Sequence, residues 1–288
     1  MSVMLIDLHV HSSVSDGTTS PTRLVFDAQA AGLDVIGLTD HDTFDGVREA
    51  TEAGRRVGVT VLQGVEISAE RQGSSVHLLG YGCDPRDAAL AAELARCRAG
   101  RAGRIRATLD LLAELGVPLS HDEVMAQVGA APSVGRPHFA DAMVAKGYVR
   151  DRTEAFELYL ADDKPAYVRR YAPDVAEAIR LVRAAHGLAV LAHPWGRGMA
   201  AVLTPQTITE LTEQHGLEGL EVDHPDHDDS DRSLLSALGV RLGLIRTGSS
   251  DHHGAGKRKN PLGAHHTRPS AYREILRRLA DRGGVVPR

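Results

Sequence analysis

VMLIDLHVH, at residues 3–11, is the stretch that decides how the fold is interpreted. Its apolar part, residues 3–8, predicts a β-strand, and the strand runs directly into His9 and His11. Side chains two residues apart on an extended segment point the same way, so both imidazole rings can reach one ion. The N-terminus therefore predicts a strand that delivers metal ligands at its carboxyl end.

The same arrangement recurs further along the chain. Apolar stretches at residues 35–38, 59–62, 188–191 and 241–246 also predict strands, and each is followed by imidazole or carboxylate groups: Asp40-His41-Asp42, Glu66, His193 and Ser250-Asp251-His252-His253. Helical patterns separate most of these strands, which favours parallel β-α units. Because the carboxyl ends of parallel barrel strands meet at one face, five strands would bring these groups to one site.

The whole pattern predicts an α/β fold. Further strands at 76–81 and 217–222 bring the count to about seven, each usually followed by a helix, which predicts a closed or nearly closed barrel. Residues 100–160 have only helical patterns. We therefore predict a barrel formed by residues 1–99 and 161–288, with a helical insertion at 100–160.

The candidate ligands indicate the kind of metal site. Imidazole and carboxylate together suit Zn, Mn or Fe(II), and Cys83 and Cys97 form neither a disulfide framework nor a thiolate zinc site. Nine candidates are too many for one ion, so we expect two or three divalent ions. We interpret Asp40 and Asp42 as groups that orient the His41 ring.

Composition narrows the class of protein. The 288 residues carry a formal charge of −5, whereas a general nucleic-acid binder would more often be basic. Bound metals could still supply positive charge for an anionic substrate. The sequence shows neither an apolar run long enough for a membrane span nor a signal peptide, so we expect no membrane partner and a cytoplasmic location. An obligate protein partner is not evident.

Six short motifs resemble those of the PHP (polymerase and histidinol phosphatase) superfamily, in the family's order. They are Asp7-Leu8-His9-Val10-His11-Ser12 with Asp16-Gly17, Thr39-Asp40-His41-Asp42, Gly64-Val65-Glu66, His77-Leu78-Leu79-Gly80-Tyr81, Ala192-His193-Pro194 and Gly248-Ser249-Ser250-Asp251-His252-His253-Gly254. The resemblance implies a distorted (β/α)7 barrel and a trinuclear site. It assigns His9, His11, Glu66 and Asp251 to one ion, Glu66, His77 and His193 to a second, and Asp16, His41 and His253 to the third. Asp16 could instead cap the turn before Gly17, and His77 could be a core histidine. The family usually has an aromatic residue where this chain has His252, so His252 could compete with His253.

A narrower resemblance connects the chain with stand-alone PHP phosphoesterases that act on nucleotides. It rests on Gly135-Arg136-Pro137-His138, Lys164-Pro165-Ala166-Tyr167-Val168 and Glu221-Val222-Asp223-His224-Pro225-Asp226-His227. The resemblance implies that the insertion at 100–160 covers the active site. It also implies four substrate-binding residues, namely Arg136, whose planar fork suits phosphate oxygens, His138, His224 and His227. Lys257, Arg258 and Lys259 form either a solvated basic face or a further contact for an anionic substrate.

These features predict a metal-dependent phosphoesterase. Bound cations would neutralise an anionic phosphate ester and generate hydroxide near neutral pH. We hypothesise that a hydroxide bridging the metals attacks phosphorus in line, and that either His227 or a metal-bound water protonates the leaving group.

The resemblance indicates a nucleotide substrate, such as a nucleoside 3′,5′-bisphosphate or the end of a short RNA. A histidinol-phosphate phosphatase and a non-catalytic PHP binding or regulatory module are the alternatives. Against the second alternative, all nine ligand positions are filled.

Overall fold

The computed structural model describes residues 4–128, 134–161, 164–254 and 260–287. Contacts divide the chain into two units, Met1–Leu94 with Pro173–Arg288 and Ala95–Ala172. The predicted insertion at 100–160 falls inside the second unit, whose own bounds are wider. The basic residues 257–259 lie outside the described residues.

One sheet forms the centre of the first unit. Over the described residues it has seven strands, hydrogen-bonded in chain order: β1 (Ile6–Val10), β2 (Val35–Leu38), β3 (Thr60–Arg71), β4 (Ser74–Tyr81), β5 (Leu188–Leu191), β6 (Gly219–Asp223) and β7 (Ile245–Gly248). Val10 forms a parallel bridge with His252, and the His11 N–H donates to the His252 carbonyl at 2.8 Å. These contacts bring the end of β1 to the segment after β7, and the prediction of a nearly closed seven-stranded barrel is confirmed.

The prediction of parallel β-α units is wrong for one strand. β4 runs antiparallel to both β3 and β5, whereas the other neighbouring pairs are parallel. The cause is a two-residue turn at Gln72 and Gly73, with φ of 51° and 81°. Positive φ at both positions is typical of the tight turns that join antiparallel strands. As a result β3 extends through Glu66, which lies inside a strand rather than after one.

The helices, numbered along the described parts of the chain, are α1 (Pro21–Ala30), α2 (Val47–Val57), α3 (Ala88–Glu114), α4 (His121–Val128), α5 (Arg136–Ala145), α6 (Arg152–Ala155), α7 (Val175–Ala184), α8 (Pro205–His215), α9 (Asp229–Arg241) and α10 (Pro269–Asp281). α1 and α8 begin with proline after a Ser or Thr whose side chain accepts a backbone N–H of the first turn. This is the usual chemistry of a helix N-terminus. None of the helices in the described residues is both long and apolar enough to span a membrane.

Successive side chains of β3 and β4 point alternately to an apolar core and to the cluster of candidate metal ligands. Val65 and Ile67 pack in one apolar cluster with residues of α7, α8 and α9. The side chains between them, Glu66 and Ser68, point to the opposite face of the strand, because successive side chains alternate. Ser68 pairs with His77 in the β3–β4 ladder, so His77 shares the face of Glu66. On this face the barrel interior also holds Leu79 and Tyr81, in a cluster that includes residues of α10.

The second unit has an apolar core of its own. Leu112, Phe139, Met143 and Leu160 are among its buried residues. The helix predicted at 153–160 is instead the single turn α6, followed by a π-helical turn at Phe156–Leu160. The remaining predicted helices of this part are found within two residues of their expected bounds.

Candidate metal centre

Glu66 lies at the centre of a cluster of buried histidines. Five imidazole nitrogens lie 2.7 to 3.3 Å from its two carboxylate oxygens, those of His9, His11, His41, His77 and His193. A carboxylate has only about four lone-pair positions for hydrogen bonds. Five rings directed at one carboxylate are therefore more than hydrogen bonding requires.

A second carboxylate, Asp251, lies close to two of these rings and to the ring of His253. Its Oδ1 lies 3.6 Å from His9 Nε2, 3.4 Å from His11 Nε2 and 3.4 Å from His253 Nδ1. The two Nε2 atoms of His9 and His11 are themselves only 3.0 Å apart. Two imidazole nitrogens and two carboxylates at such short distances would repel one another unless a proton or a cation lay between them. The arrangement is typical of ligands placed around a metal ion.

Asp16 completes the cluster at its more exposed end. Its carboxylate oxygens lie 3.5 Å from His11 Nδ1, 3.4 Å from His41 Nε2 and 3.2 Å from His253 Nε2. His11 and His41 thus each have one ring nitrogen directed at Asp16 and the other at Glu66. These two rings therefore connect Asp16 with Glu66 at the middle of the cluster.

Among the described residues, three sets of donor atoms are close enough to hold an ion, with all atoms of a set within 4.8 Å of one another. The sets are His9, His11, Glu66 and Asp251; His11, Asp16, His41 and His253; and His41, Glu66 and His77. The first set is the one expected from the family resemblance. The second set adds His11 to the expected residues. The third has His41 in place of His193, whose Nε2 lies 3.3 Å from Glu66 Oε1. The donor chemistry, imidazole and carboxylate without thiolate, fits borderline divalent ions.

The electrostatics of the cluster require a positive partner. Burial alone would raise the pKa of Glu66 and Asp251, but the surrounding imidazoles hold each pKa well below its usual range. Burial lowers the pKa of His11, but bonds to Asp251 and Glu66 together raise it to about 10. The carboxylates are anions that need either protons on the rings or metal ions between them.

Glu221 supports the cluster from behind, and the sequence reasoning missed it. Its carboxylate is fully buried and accepts from His9 Nδ1 at 3.1 Å, from the His193 backbone N–H at 2.8 Å and from the Ser249 hydroxyl. Donation from Nδ1 leaves His9 Nε2 as the ligand atom. Glu221 opens one of the motifs quoted for the narrower resemblance, but nothing in the sequence pairs it with His9, 212 residues away.

The acidic residues beside His41 hold loops together. Asp40 accepts from the Ser12 backbone N–H and from the hydroxyls of Ser12 and Ser15. Asp42 accepts from the Ser68 backbone N–H at 2.8 Å. These bonds fix the segment after β1 and the middle of β3, and the role of Asp40 and Asp42 in orienting the His41 ring stays a prediction.

The neighbouring histidines after β7 have different environments. His253 is directed at Asp16 and Asp251, as its assignment as a ligand requires. His252 donates from Nδ1 to the Asn260 carbonyl at 2.7 Å, and its backbone pairs with β1. Of the two, His253 alone belongs to a potential ligand set in the described part of the chain.

His224 and His227 are both buried, and their ring nitrogens have distinct partners. His224 Nδ1 accepts the Asp226 N–H, and its Nε2 lies 3.4 Å from Asp251 Oδ2. His227 donates from Nδ1 to the Val222 carbonyl and accepts the Trp195 N–H at Nε2. With both nitrogens of His227 occupied and burial lowering its pKa, this geometry gives no support to a proton-donor role.

A cavity of about 100 Å³ opens onto the cluster. Its walls include seven of the nine candidate ligands and one residue that the sequence reasoning missed, Arg197. Arg197 follows His193-Pro194-Trp195-Gly196, pairs with Asp226 at 3.4 Å, and has a left-handed backbone with φ of 57°. Asp42, His193 and Asp251 have positive φ as well. Such strained conformations collect where a site constrains the backbone.

The remaining two candidate substrate-binding residues, Arg136 and His138, lie in the second unit. Arg136 donates to the Leu160 carbonyl at 3.1 Å, and its guanidinium lies 5.3 Å from the centre of the Tyr167 ring. His138 Nδ1 accepts the Gly135 N–H at 2.9 Å, and burial lowers its pKa. Each residue thus has a structural role inside its own unit, and their contacts with substrate stay predictions.

Known proteins similar to this chain share the family indicated by the motifs. The PHP domain family matches residues 7–164. A 3′,5′-nucleoside bisphosphate phosphatase of Chromobacterium violaceum is 34% identical over 279 residues, which cover 96% of this chain and 97% of that protein. A 5′-3′ exoribonuclease of Haemophilus influenzae is 39% identical over 188 residues, 65% of this chain and 68% of that protein. The crystal structure of a protein inferred to be a metal-dependent phosphoesterase, from Bifidobacterium adolescentis, superposes with a TM-score of 0.84 at 35% identity, covering 96% of this chain and 97% of that one. The prediction of a metal-dependent phosphoesterase is thereby confirmed, and the chain belongs to the PHP domain family.

Proposed function

We propose that this enzyme removes the 3′-phosphate of a nucleoside 3′,5′-bisphosphate. The observation that carries the proposal is the small cavity in which potential metal ligands and the Arg197 guanidinium line the same space. Cations together with a planar guanidinium suit a phosphate ester, whose non-bridging oxygens are anionic. The choice of nucleotide is supported by the Chromobacterium violaceum phosphatase, which matches nearly the full length of the chain.

We propose that the nine clustered residues hold two or three divalent ions, with Mn, Zn and Fe as the candidates. Glu66 would contribute to more than one ion, because its oxygens face rings from two different donor sets. Such ions, when bound, neutralise the ester and generate a hydroxide nucleophile near neutral pH. Glu221 would keep the His9 lone pair directed at its ion.

Arg197 is proposed to bind the phosphate and to orient phosphorus in the cavity. Its loop is held in place by the segment after β6: His227 accepts the Trp195 N–H, and Asp226 pairs with the guanidinium. We therefore assign His227 a positioning role. His224, with Nδ1 accepting, carries its proton on Nε2 and could donate it as a hydrogen bond towards the centre.

We further propose that the second unit supplies Arg136 and His138 to the nucleotide and covers the site when the substrate binds. In that case Arg136→Ala would raise KM for a nucleotide substrate more than for a small phosphate ester. Equal KM values for wild type and Arg136→Ala on the nucleotide would contradict this part of the proposal.

The test is phosphate release after metal stripping and reconstitution with Mn or Zn. The substrates are a nucleoside 3′,5′-bisphosphate, a 5′-mononucleotide, histidinol phosphate and a short 5′-phosphorylated RNA. Metal-dependent release that is fastest from the bisphosphate supports the proposal. Release only from histidinol phosphate would still support a catalytic metal centre but would contradict the proposed nucleotide substrate. No release from any of them by the metal-loaded protein would indicate a non-catalytic module.

Shortening of the RNA from its 5′ end is the second candidate activity, favoured by the similarity to the Haemophilus influenzae exoribonuclease. It needs the same ions and the same cavity. A comparison of kcat/KM for the two substrates distinguishes these activities. A higher value for the bisphosphate indicates the phosphatase, and a higher value for the RNA indicates the exoribonuclease.

A further inference from the structure

A second cavity, of about 630 Å³, lies on the outside of the barrel in the first unit. It is a groove between α9 and α10, over the end of β6 and the start of β7. Four arginines line it, Arg232, Arg246, Arg268 and Arg278. The chain as a whole carries a charge of −5, so this concentration of guanidinium groups runs against the average charge.

Two of these arginines have no acidic partner in the described residues. Arg246 donates from Nη1 to the neutral Ser236 hydroxyl at 3.0 Å. Within the described ranges no carboxylate oxygen comes within 4.0 Å of a guanidinium nitrogen of Arg246 or Arg268. The groove also contains Glu274 and Asp223. Glu274 is already engaged: bonds from Arg277 and Arg278 lower its pKa to about 2.

The first turn of α10 adds neutral donors to the groove. α10 has 13 residues, and its N-cap residue, Arg268, makes no side-chain hydrogen bond to the first turn. Ser270 and Ala271 line the groove, and the N–H groups of a first helical turn have no partner within the helix. Together with the hydroxyl of Ser236, which accepts from Arg246 and still has its own O–H to donate, they supply the directional donors that a tetrahedral oxyanion needs.

We propose that this groove is an anion-binding site that takes a phosphate group. Guanidinium forks, a serine hydroxyl and helical N–H groups are the donors that suit phosphate oxygens. Arg246 and Arg268, which face no carboxylate among the described residues, supply the attraction. The groove is separate from the metal centre but mechanically connected with it. Arg232 lines the groove and donates from Nη2 to the His224 carbonyl at 3.1 Å. An occupant would touch the side chain that holds the loop after β6.

The experiment is equilibrium dialysis of the metal-loaded protein against labelled inorganic phosphate. The test variant is Arg246→Glu/Arg268→Glu. The matched control is Arg241→Glu/Arg273→Glu, which changes the same charge at exposed positions outside the groove. We expect wild type and control to bind one equivalent more than the test variant, whose affinity in the groove should fall roughly tenfold or more. Equal stoichiometry and affinity in all three proteins would overturn the proposal.

Two further arms complete the design. A short RNA with a 5′-hydroxyl end and a mononucleotide compete with the labelled phosphate, which distinguishes a phosphodiester backbone from a free phosphate as the natural source. Because both competitors can also displace phosphate from the metal centre, the informative equivalent is the one that Arg246→Glu/Arg268→Glu lacks. Its loss in the presence of either competitor supports a nucleotide or backbone phosphate as the source, and its persistence supports free phosphate. Absence of that equivalent from wild type contradicts the proposal. Arg246→Gln/Arg268→Gln repeats the measurement with a milder change. Hydrolysis of a small phosphate ester by each variant checks that the metal centre is intact, independently of which substrate is preferred.

Discussion

Replacing Glu221 by glutamine would test how the metal centre is supported. Glu221 accepts three buried donors: the His9 ring, the His193 N–H and the Ser249 hydroxyl. A glutamine has one acceptor oxygen, so in either orientation of its amide at least one donor would face an NH₂ group. An unpaired buried donor costs about 1–3 kcal/mol, and the retained bonds would lose their charge assistance.

The expected effect on metal binding is larger than the effect on folding. Loss of a carboxylate behind a ligating histidine typically weakens metal affinity by about 10- to 100-fold. The assay is competition with a chelator of known affinity, together with denaturant unfolding of the metal-free protein. Glu218→Gln is the matched control, since Glu218 is largely buried near the start of β6 but pairs with Arg282. Metal affinity of Glu221→Gln within twofold of wild type would refute the reasoning.

Three more predictions concern the centre itself. Arg197→Ala should lower kcat/KM roughly 10- to 100-fold through the lost guanidinium contact with phosphate, whereas Arg197→Lys should recover part of it; unchanged steady-state kinetics in Arg197→Ala would rule out the contact. His253→Ala should weaken metal binding by about tenfold or more, while His252→Ala should keep full metal content by elemental analysis; the opposite result would exchange their roles. Since the pKa of His11 lies near 10 in the metal-free fold, metal binding at pH 8 should release about one proton or more, measured by calorimetry in two buffers of different ionisation enthalpy; no release would show that the ring is already neutral. The same raised pKa implies that the His11 proton stabilises the metal-free fold fully below pH 6.5 and that this stabilisation is lost as pH rises through about 10.

Periodicity and motif order were sufficient to predict the barrel and to single out the residues that cluster at its candidate metal centre. Strands such as β2 and β5 are short apolar runs bounded by helical patterns, and the ligands follow or lie within strands of this type. The direction of β4 could not be predicted, because it depends on the backbone angles of Gln72 and Gly73. Contacts between distant residues could not be predicted either. The role of Glu221 becomes recognisable only in the fold, where β1 and β6 bring it to His9, 212 residues away.

Arg197 and His227 show the same limit. An arginine in a short loop after a strand has no pattern of its own, and only the folded loop places Arg197 at the cavity. The sequence suggested a proton donor at His227 because histidines cluster there. The structure instead gives both of its ring nitrogens to backbone groups. Which nitrogen is occupied is a property of the fold and is not encoded in spacing.

The tight turn between β3 and β4 makes the centre intolerant of insertions and deletions. Glu66 and His77 share one face only because the ladder register, with Ser68 opposite His77, keeps them in phase. Adding or removing one residue between them would rotate one of the two to the opposite face, against the apolar cluster around Ile67. Insertions or deletions between these strands should be tolerated only if they change the length by two residues or if a β-bulge absorbs the extra residue. Beyond His193, the loop after β5 is under no such parity constraint, so the part of it that carries Arg197 is where this scaffold can change its substrate contacts while keeping the register of Glu66 and His77.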